Sequence, residues 1–287
     1  MKTEKTLLLG AVAYDPKVVT IWEGFKAYFA RQNLSMDYVL YSNYEHQVEA
    51  LLNGHIHVAW NSPLAWVRAH RIAQSRGERV LAIAMRDTDR DVTSVVIVAN
   101  DSPIHALADL KGRTVAVGAI DSPQATLLPL AHLHANGLNP NSDFVVQYNN
   151  ILVGKHGDHI GGERHAAQAL GTGEAQAACL LEYNYQQFTE DGTLPAGTTR
   201  ILTRTAPFDH CNFTISSTAP QALVDQFHAL LIGMAYDDPD VRPLCDLEGL
   251  KSWYPGRVEG YQALEAAVDD AHFYDQNGMI TATGYEY

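Results

Sequence analysis

The chain has 287 residues, 46% hydrophobic and 18% charged, with 20 basic against 33 acidic side chains and a formal net charge of −13. That length allows about two domains of roughly 150 residues, each with a real core, and the composition excludes a disordered or collagenous chain. The acidic balance and the lack of any basic run argue against nucleic acid as a partner. No apolar stretch approaches the roughly 18 residues of a spanning helix, so no membrane insertion is expected.

Met1-Lys2-Thr3-Glu4-Lys5 runs straight into Leu7-Leu8-Leu9-Gly10-Ala11-Val12, an apolar run too short for a signal-peptide core and suited to a first strand. The chain as given is therefore expected in the cytoplasm, and in the periplasm or on a lipid anchor if a leader has been removed. Cys179, Cys211 and Cys245 are odd in number and widely spaced. They indicate no disulfide framework and fit a reducing compartment.

Apolar β-rich runs then alternate with helical patterns: a strand over 6–12, a helix over 18–32, a strand over 36–40, a helix over 44–52 and a strand over 56–60. This is α/β order. Asn43 is a good N-cap for the helix at 44–52, and Gly54 supplies the left-handed residue that ends it. A strand over 93–99 reads as a crossover into a second lobe, followed by a helical turn at 107–110 and a strand at 114–117. The helix at 164–170, its breaker Gly173 and the strand at 175–181 repeat the grammar of 49–60, which points to two lobes built on one plan. After an extended run at 213–216 the chain turns helical over 220–236 and again near 261–273. Lobe one is expected to take 1–95 plus 206–287 and lobe two 96–205, each a mostly parallel sheet flanked by helices. A discontinuous first lobe with two connecting strands is the arrangement that permits hinge closing over a cleft.

Three stretches carry a resemblance. They are Ala50-Leu51-Leu52-Asn53-Gly54 with Val58-Ala59-Trp60-Asn61-Ser62-Pro63-Leu64-Ala65-Trp66; Asp101-Ser102-Pro103-Ile104 with Leu110-Lys111-Gly112-Arg113-Thr114-Val115-Ala116-Val117-Gly118; and Ser122 with Leu128-Pro129. In this order, over roughly the first 205 residues, the chain resembles the phosphonate-binding proteins of ABC transporters, which have the type II periplasmic-binding-protein fold. The resemblance implies a two-lobed α/β fold with a ligand cleft between the lobes. It also implies a small oxyanion- or carboxylate-bearing ligand, phosphonate-like in kind, and an ABC permease as partner if the chain is exported. The oxyanion would sit at the N-terminus of the helix that begins at Ser122, with Tyr14, Asn61, Ser62, Trp66 and Gln124 as further ligand-binding residues. The chemistry of the segment agrees: Ser122 suits an N-cap, Pro123 the first helical position, and free N–H groups with the helix dipole attract negative charge. The net charge does not forbid it, because local donors govern binding inside a cleft. The chain departs from the family where a Ser-Thr-Ser run is replaced by Ser122-Pro123-Gln124, which removes two hydroxyl donors. It departs again at Trp66, which stands in place of a tyrosine and favours a bulkier or less polar ligand.

Two segments lie outside that pattern. Gly154-Lys155-His156-Gly157-Asp158-His159-Ile160-Gly161-Gly162-Glu163-Arg164-His165 is glycine-rich with three imidazoles. Either it gathers a divalent transition metal such as zinc or iron, through His156, His159 and His165, or it is a flexible solvated loop. Phe208-Asp209-His210-Cys211-Asn212-Phe213 adds His210 and Cys211 as candidate metal ligands. Alternation in an extended segment puts Asp209 and Cys211 on one face and His210 on the other. Cys211 is then a metal ligand, a nucleophile activated by a histidine, or a buried inert thiol. His55 and His57 share a face of a strand and either chelate or form an edge pair facing solvent, while His132 and His134 point to different sides of a helix. Hydrolase elbows, zinc-protease helices and dinucleotide loops are lacking.

Anion binding without chemistry is the first reading. A cytoplasmic metal-dependent enzyme on the same fold, acting on a small carboxylate through the His/Cys residues, is the alternative, as the menaquinone-pathway chorismate dehydratases and iron-dependent thiamin-pyrimidine synthases resemble it in being. A metal sensor is the third.

Overall fold

A computed structural model describes residues 5–287; Met1, Lys2, Thr3 and Glu4, on which the expectation about a leader rests, lie outside them. The chain divides into two compact units. Unit 1 takes Met1–Arg90, Asp209–Tyr261 and Asp275–Met279, and unit 2 takes Asp91–Phe208, Gln262–Tyr274 and Ile280–Tyr287.

Unit 1 opens with β1 (Leu7–Val12), α1 (Lys17–Arg31), β2 (Met36–Tyr41), α2 (Tyr44–Leu52), β3 (Val58–Asn61), α3 (Pro63–Ser75) and β4 (Val80–Arg86). Unit 2 follows with β5 (Ser94–Ala99), β6 (Thr114–Val117), α4 (Leu128–Ala135), β7 (Val145–Tyr148), α5 (Gly161–Thr172), β8 (Ala177–Leu181), α6 (Glu182–Glu190) and β9 (Thr199–Arg204). The chain re-enters unit 1 as β10 (Asn212–Ser216), α7 (Gln221–Ile232), α8 (Arg242–Glu248) and β11 (Trp253–Pro255), and α9 (Gln262–Asp270) belongs to unit 2. The pieces 262–274 and 280–287, which the sequence assigns to lobe one, thus fall in unit 2. There α9 packs on α4 through the buried Leu264, Ala267 and Val268 of its apolar stripe.

Among the described residues the unit 1 sheet has the order β11-β4-β10-β3-β1-β2 and the unit 2 sheet β7-β6-β8-β5-β9. β1 pairs in parallel with β2 and β3, and β6 with β7 and β8. β10 and β5 each run antiparallel to both neighbours. The sheets therefore share one plan: β2-β1-β3-β10-β4 matches β7-β6-β8-β5-β9, with the reversed strand in the fourth place of each. All other strands in that shared part point one way, which is the mostly parallel character the sequence implies.

Local chemistry explains the elements. Asn43 stands extended before α2 and its side-chain oxygen accepts the His46 amide at 2.9 Å, while Gly54 takes φ +71° beyond the last turn. Asn43→Ala is expected to lower stability by about 1 kcal/mol and Asn43→Gly by only a few tenths; equal losses in urea denaturation would show that the cap holds nothing. After Ser94, β5 is an apolar run because both faces are covered: Val95 and Ile97 join one core, Val96 and Val98 the other. In unit 1 the core is aromatic. Phe213 on β10 is fully buried, with ring centroids 4.6 Å from Trp60, 5.2 Å from Phe227 and 5.3 Å from Trp253. Tilted and edge-on contacts of this kind add to the burial of the rings.

Candidate functional site

Ligands of α/β sheets bind beyond the carboxyl ends of parallel strands, where loops converge. In unit 1 β1 pairs with β3 at Leu9 with Val58 and Gly10 with Ala59, and β10 enters opposite Asn61, the last residue of β3. Tyr14, half-buried, follows β1 with its amide on the Val12 carbonyl at 3.0 Å. Ser62 caps α3, its hydroxyl accepting the Ala65 amide at 3.1 Å ahead of Pro63. Trp66, one turn into α3, is buried, stacked on His70 and tilted against Tyr261.

Asn61 heads a buried polar relay. Gln47 Nε2 donates to Asn61 Oδ1 at 2.9 Å, Asn61 Nδ2 to Thr214 Oγ1 at 2.9 Å, and the Thr214 hydroxyl to Asn212 Oδ1 at 2.6 Å. Asn212 Nδ2 then donates to the Tyr261 hydroxyl, which donates to the His210 carbonyl, each at 2.9 Å. Such a connected network fixes the edge of the sheet in one arrangement, since each missing partner would leave a buried group unsatisfied.

The same edge carries a charged cluster after β4. Arg86 grips Asp89 with two bonds, Nε to Oδ2 at 2.6 Å and Nη2 to Oδ1 at 2.9 Å, and its Nη1 reaches Glu248 Oε2 at 3.1 Å. Burial alone would raise the Asp89 carboxyl, but the Arg86 charge overrides it and holds it at about 2. The backbone of the returning segment closes on this loop: the His210 amide donates to the Asp89 carbonyl at 2.7 Å and the Cys211 amide to Asp89 Oδ1 at 3.3 Å. These bonds draw 209–211 out of strand geometry ahead of β10, so the expected alternation fails. Instead of lying on opposite faces, His210 and Cys211 meet, with Nδ1 3.1 Å from Sγ. Asp209 turns elsewhere and pairs with Arg257, Nη2 to Oδ1 at 2.6 Å.

In unit 2 the matching edge lies beyond β6, β7 and β8. Ser122 caps a five-residue π-helical turn, 123–127, that runs on into α4, and its hydroxyl accepts the Ala125 amide at 3.2 Å. The Thr126 and Leu127 amides both turn back to the Ser122 carbonyl, at 3.1 and 3.0 Å. Of the donors expected at this tip, the Ala125 amide is spent on the Ser122 hydroxyl and Pro123 has no N–H to offer. Gln124 Nε2 donates to the Gly157 carbonyl at 3.0 Å and reaches Glu163 Oε1 at 3.3 Å. Glu163, buried in the first turn of α5, also accepts the Leu181 amide at 2.9 Å and Asn184 Nδ2 at 3.0 Å. One carboxylate therefore ties the tip to the ends of β8 and α6.

The glycine-rich segment packs on this tip. Asp121 Oδ2 accepts the Gly154 amide at 2.6 Å and the His156 amide at 3.1 Å. Gly157, at φ +78°, has no room for a side chain: a Cβ there would overlap Ser122 Oγ and stand 2.6 Å from Gln124 Nε2. The segment is an ordered cover of backbone and polar atoms, so the alternative of a solvated loop gives way. Its histidines disperse. His156 is fully buried with Nε2 3.5 Å from the Tyr285 hydroxyl, His159 Nδ1 accepts the Gly161 amide at 3.2 Å, and His165 is exposed on α5.

Among the described residues, the group of metal-ligating side chains whose donor atoms all lie within 4.8 Å of one another is Asp89, His210 and Cys211. Asp89 was missed from the sequence; the signal was the charged run Arg86-Asp87-Thr88-Asp89-Arg90-Asp91 straight after an apolar strand. The remaining histidines have local roles. His57 Nδ1 accepts the Leu8 amide at 2.9 Å while His55 is exposed, so the two do not chelate. His132 Nε2 lies 2.9 Å from Thr203 Oγ1 and His134 Nδ1 2.7 Å from Asp270, on different partners as the helical spacing implies. No helix among the described residues is long and apolar enough to cross a membrane.

Comparison with known proteins places this architecture. The PhnD1 protein of Prochlorococcus marinus in complex with methylphosphonate superposes with a TM-score of 0.71 at 15% identity, over 93% of this chain and 98% of that one. XAC2383 of Xanthomonas citri bound to chloride gives 0.70 at 18%, over 93% and 98%. The periplasmic aliphatic sulphonate binding protein SsuA of Escherichia coli gives 0.59 at 17%, over 93% and 91%. These likenesses establish the fold, two helix-flanked sheets of the type II periplasmic-binding kind. The sequence model described as "ABC transporter, phosphonate, periplasmic substrate-binding protein" matches residues 11–263. With most of its length inside that match, the chain belongs to the family of periplasmic substrate-binding proteins of phosphonate ABC transporters.

Proposed function

We propose that the protein binds a small oxyanion, phosphonate or sulfonate in kind, as the solute-binding component of an ABC transporter. The observation that carries this reading is the family match along residues 11–263. Ser122 and Gln124 are the anion contacts in unit 2, and Tyr14, Asn61, Ser62 and Trp66 are the ligand-binding residues of unit 1. The methylphosphonate bound by the Prochlorococcus marinus protein and the aliphatic sulphonate of the Escherichia coli protein support the ligand class. A permease is then the partner and the periplasm the location, as for the family. Solute binding of this kind needs no cofactor, and the family match favours it over a metal-dependent enzyme.

Calorimetric titration with methylphosphonate, methanesulfonate, inorganic phosphate and acetate tests the proposal. Saturable one-to-one binding of methylphosphonate or methanesulfonate, tighter than acetate, is expected. A hydrogen bond to a charged group is worth about 1.5–3 kcal/mol, so Ser122→Ala should weaken it by about 10- to 100-fold; Gln124→Ala should weaken it by releasing the tip from the Gly157 carbonyl and Glu163, which its Nε2 holds. Failure of every oxyanion to bind at millimolar concentration, or unaltered affinity in both variants, overturns it.

A further inference from the structure

We propose that Asp89, His210 and Cys211 form a site for a divalent cation of the zinc class, built into unit 1 and independent of the anion reading. Three donors of different chemistry, a carboxylate oxygen, an imidazole nitrogen and a sulfur, converge there within 4.8 Å. His210 Nδ1 lies 3.1 Å from Cys211 Sγ and 3.5 Å from Asp89 Oδ1. Zinc bonds of about 2.0 Å to nitrogen or oxygen and about 2.3 Å to sulfur make tetrahedral edges of about 3.3–3.5 Å. The cluster thus needs shifts of only a few tenths of an ångström along those two edges. Asp89 and Cys211 are each 2% exposed, so the donors are held by packing and hydrogen bonds. Nε2 of His210 is buried with no hydrogen-bond partner among the described residues. The polar contacts of the ring therefore run through Nδ1, the atom nearest Sγ and Oδ1.

Arg86 beside Asp89 does not close the site. Asp89 Oδ1 also accepts the Cys211 amide, at the long distance of 3.3 Å, a contact that a cation would replace, and the guanidinium charge is also met by Glu248 Oε2 at 3.1 Å. A mixed sulfur, nitrogen and oxygen set suits zinc and its neighbours rather than magnesium or calcium, and three protein ligands leave a fourth position for water. On binding, the Cys211 thiol gives its proton to solvent as the sulfur–metal bond forms. The ligands come from the two segments at which the chain leaves unit 1, Arg90 to Asp91, and re-enters it, Phe208 to Asp209. A cation here would join the outgoing and returning segments of unit 1.

The full chain, without a polyhistidine tag, reduced and stripped by chelator, is titrated with cobalt(II) and then zinc(II), with no anion ligand added. A near-ultraviolet thiolate-to-cobalt charge-transfer band should saturate at one equivalent and vanish as zinc displaces cobalt. Cys211→Ser should abolish the band, and His210→Ala should weaken zinc at least tenfold. Cys245→Ser, on α8, and His165→Ala, on the exposed side of α5, should change neither. The absence of the band from the unaltered protein, or its persistence in Cys211→Ser, overturns the proposal and leaves a hydrogen-bonded thiol–imidazole pair only. Should Cys211→Ser fail to fold, alkylation of the unaltered protein decides: zinc must slow modification of the Cys211 peptide at least tenfold without slowing that of Cys245. Because the readouts use metal alone, their failure leaves oxyanion binding untouched.

Discussion

Asp89→Ala should lower the unfolding free energy by about 3–5 kcal/mol, the range found when one partner of a buried ion pair is removed. Asp89 is 2% exposed and carries the two-bond grip of Arg86. Its removal strands a guanidinium that packs over Trp60 at 5.1 Å and keeps only Glu248 as counter-charge. It also takes the acceptor from the Cys211 amide. Replacing both partners together, Arg86→Met with Asp89→Leu, should recover part of the loss, because no uncompensated charge is then buried. Equilibrium urea unfolding measures both. A loss below about 1 kcal/mol for the single variant would mean that solvent reaches Arg86 and that the pair behaves like a surface one.

Glu163→Ala should cost about 3 kcal/mol, since a buried acceptor that serves several donors disappears at once. The Leu181 amide, Asn184 Nδ2 and Gln124 Nε2 all lose it. Glu163→Gln restores an acceptor on one side and presents a donor on the other, so its loss should be intermediate. The position also bears on binding. With the carboxylate gone, Gln124 keeps only the Gly157 carbonyl, and the tip loosens. Methylphosphonate affinity should then fall by about tenfold in Glu163→Ala, the size of one modest hydrogen bond. Unchanged affinity alongside a large stability loss would separate Glu163 from the ligand altogether.

Much of this architecture was legible because local signals coincide. Asn43 and Gly54 bracket α2, the apolar run 95–99 marks a strand crossing into the second lobe, and Ser122-Pro123 marks a capped helix start. The repeated motif of a helix ending at Gly54 or Gly173 and feeding a strand pointed to two lobes on one plan, and the shared sheet order is its structural form. The reversed strands were legible only as runs, because strand direction is set by partners far along the chain. α9 carries an apolar stripe that fits either unit, and its packing on α4 is a tertiary choice that no local pattern encodes. The clustering of Asp89 with His210 and Cys211 was hidden for the same reason: the Asp89 contact to the Cys211 amide spans 122 residues. Alternation misled at 209–211 because it presumes a ladder, and there the amides bond to an irregular loop instead. The histidines of 156–165 shared a glycine-rich stretch, but the backbone bends that glycine allows turned them apart.

Placing the reversed strand fourth in the unit 1 sheet has a consequence for biosynthesis. β3 and β4 reach each other only through β10, which leaves the ribosome after all of β5–β9. Until then a nascent chain presents two unzipped edges, each able to pair with a neighbouring polypeptide. Vectorial folding can finish the central sheet of unit 2 first, but unit 1 must wait for its keystone. Holdase chaperones should accordingly engage the first ninety residues during translation, and fragments that stop short of Asn212 should aggregate.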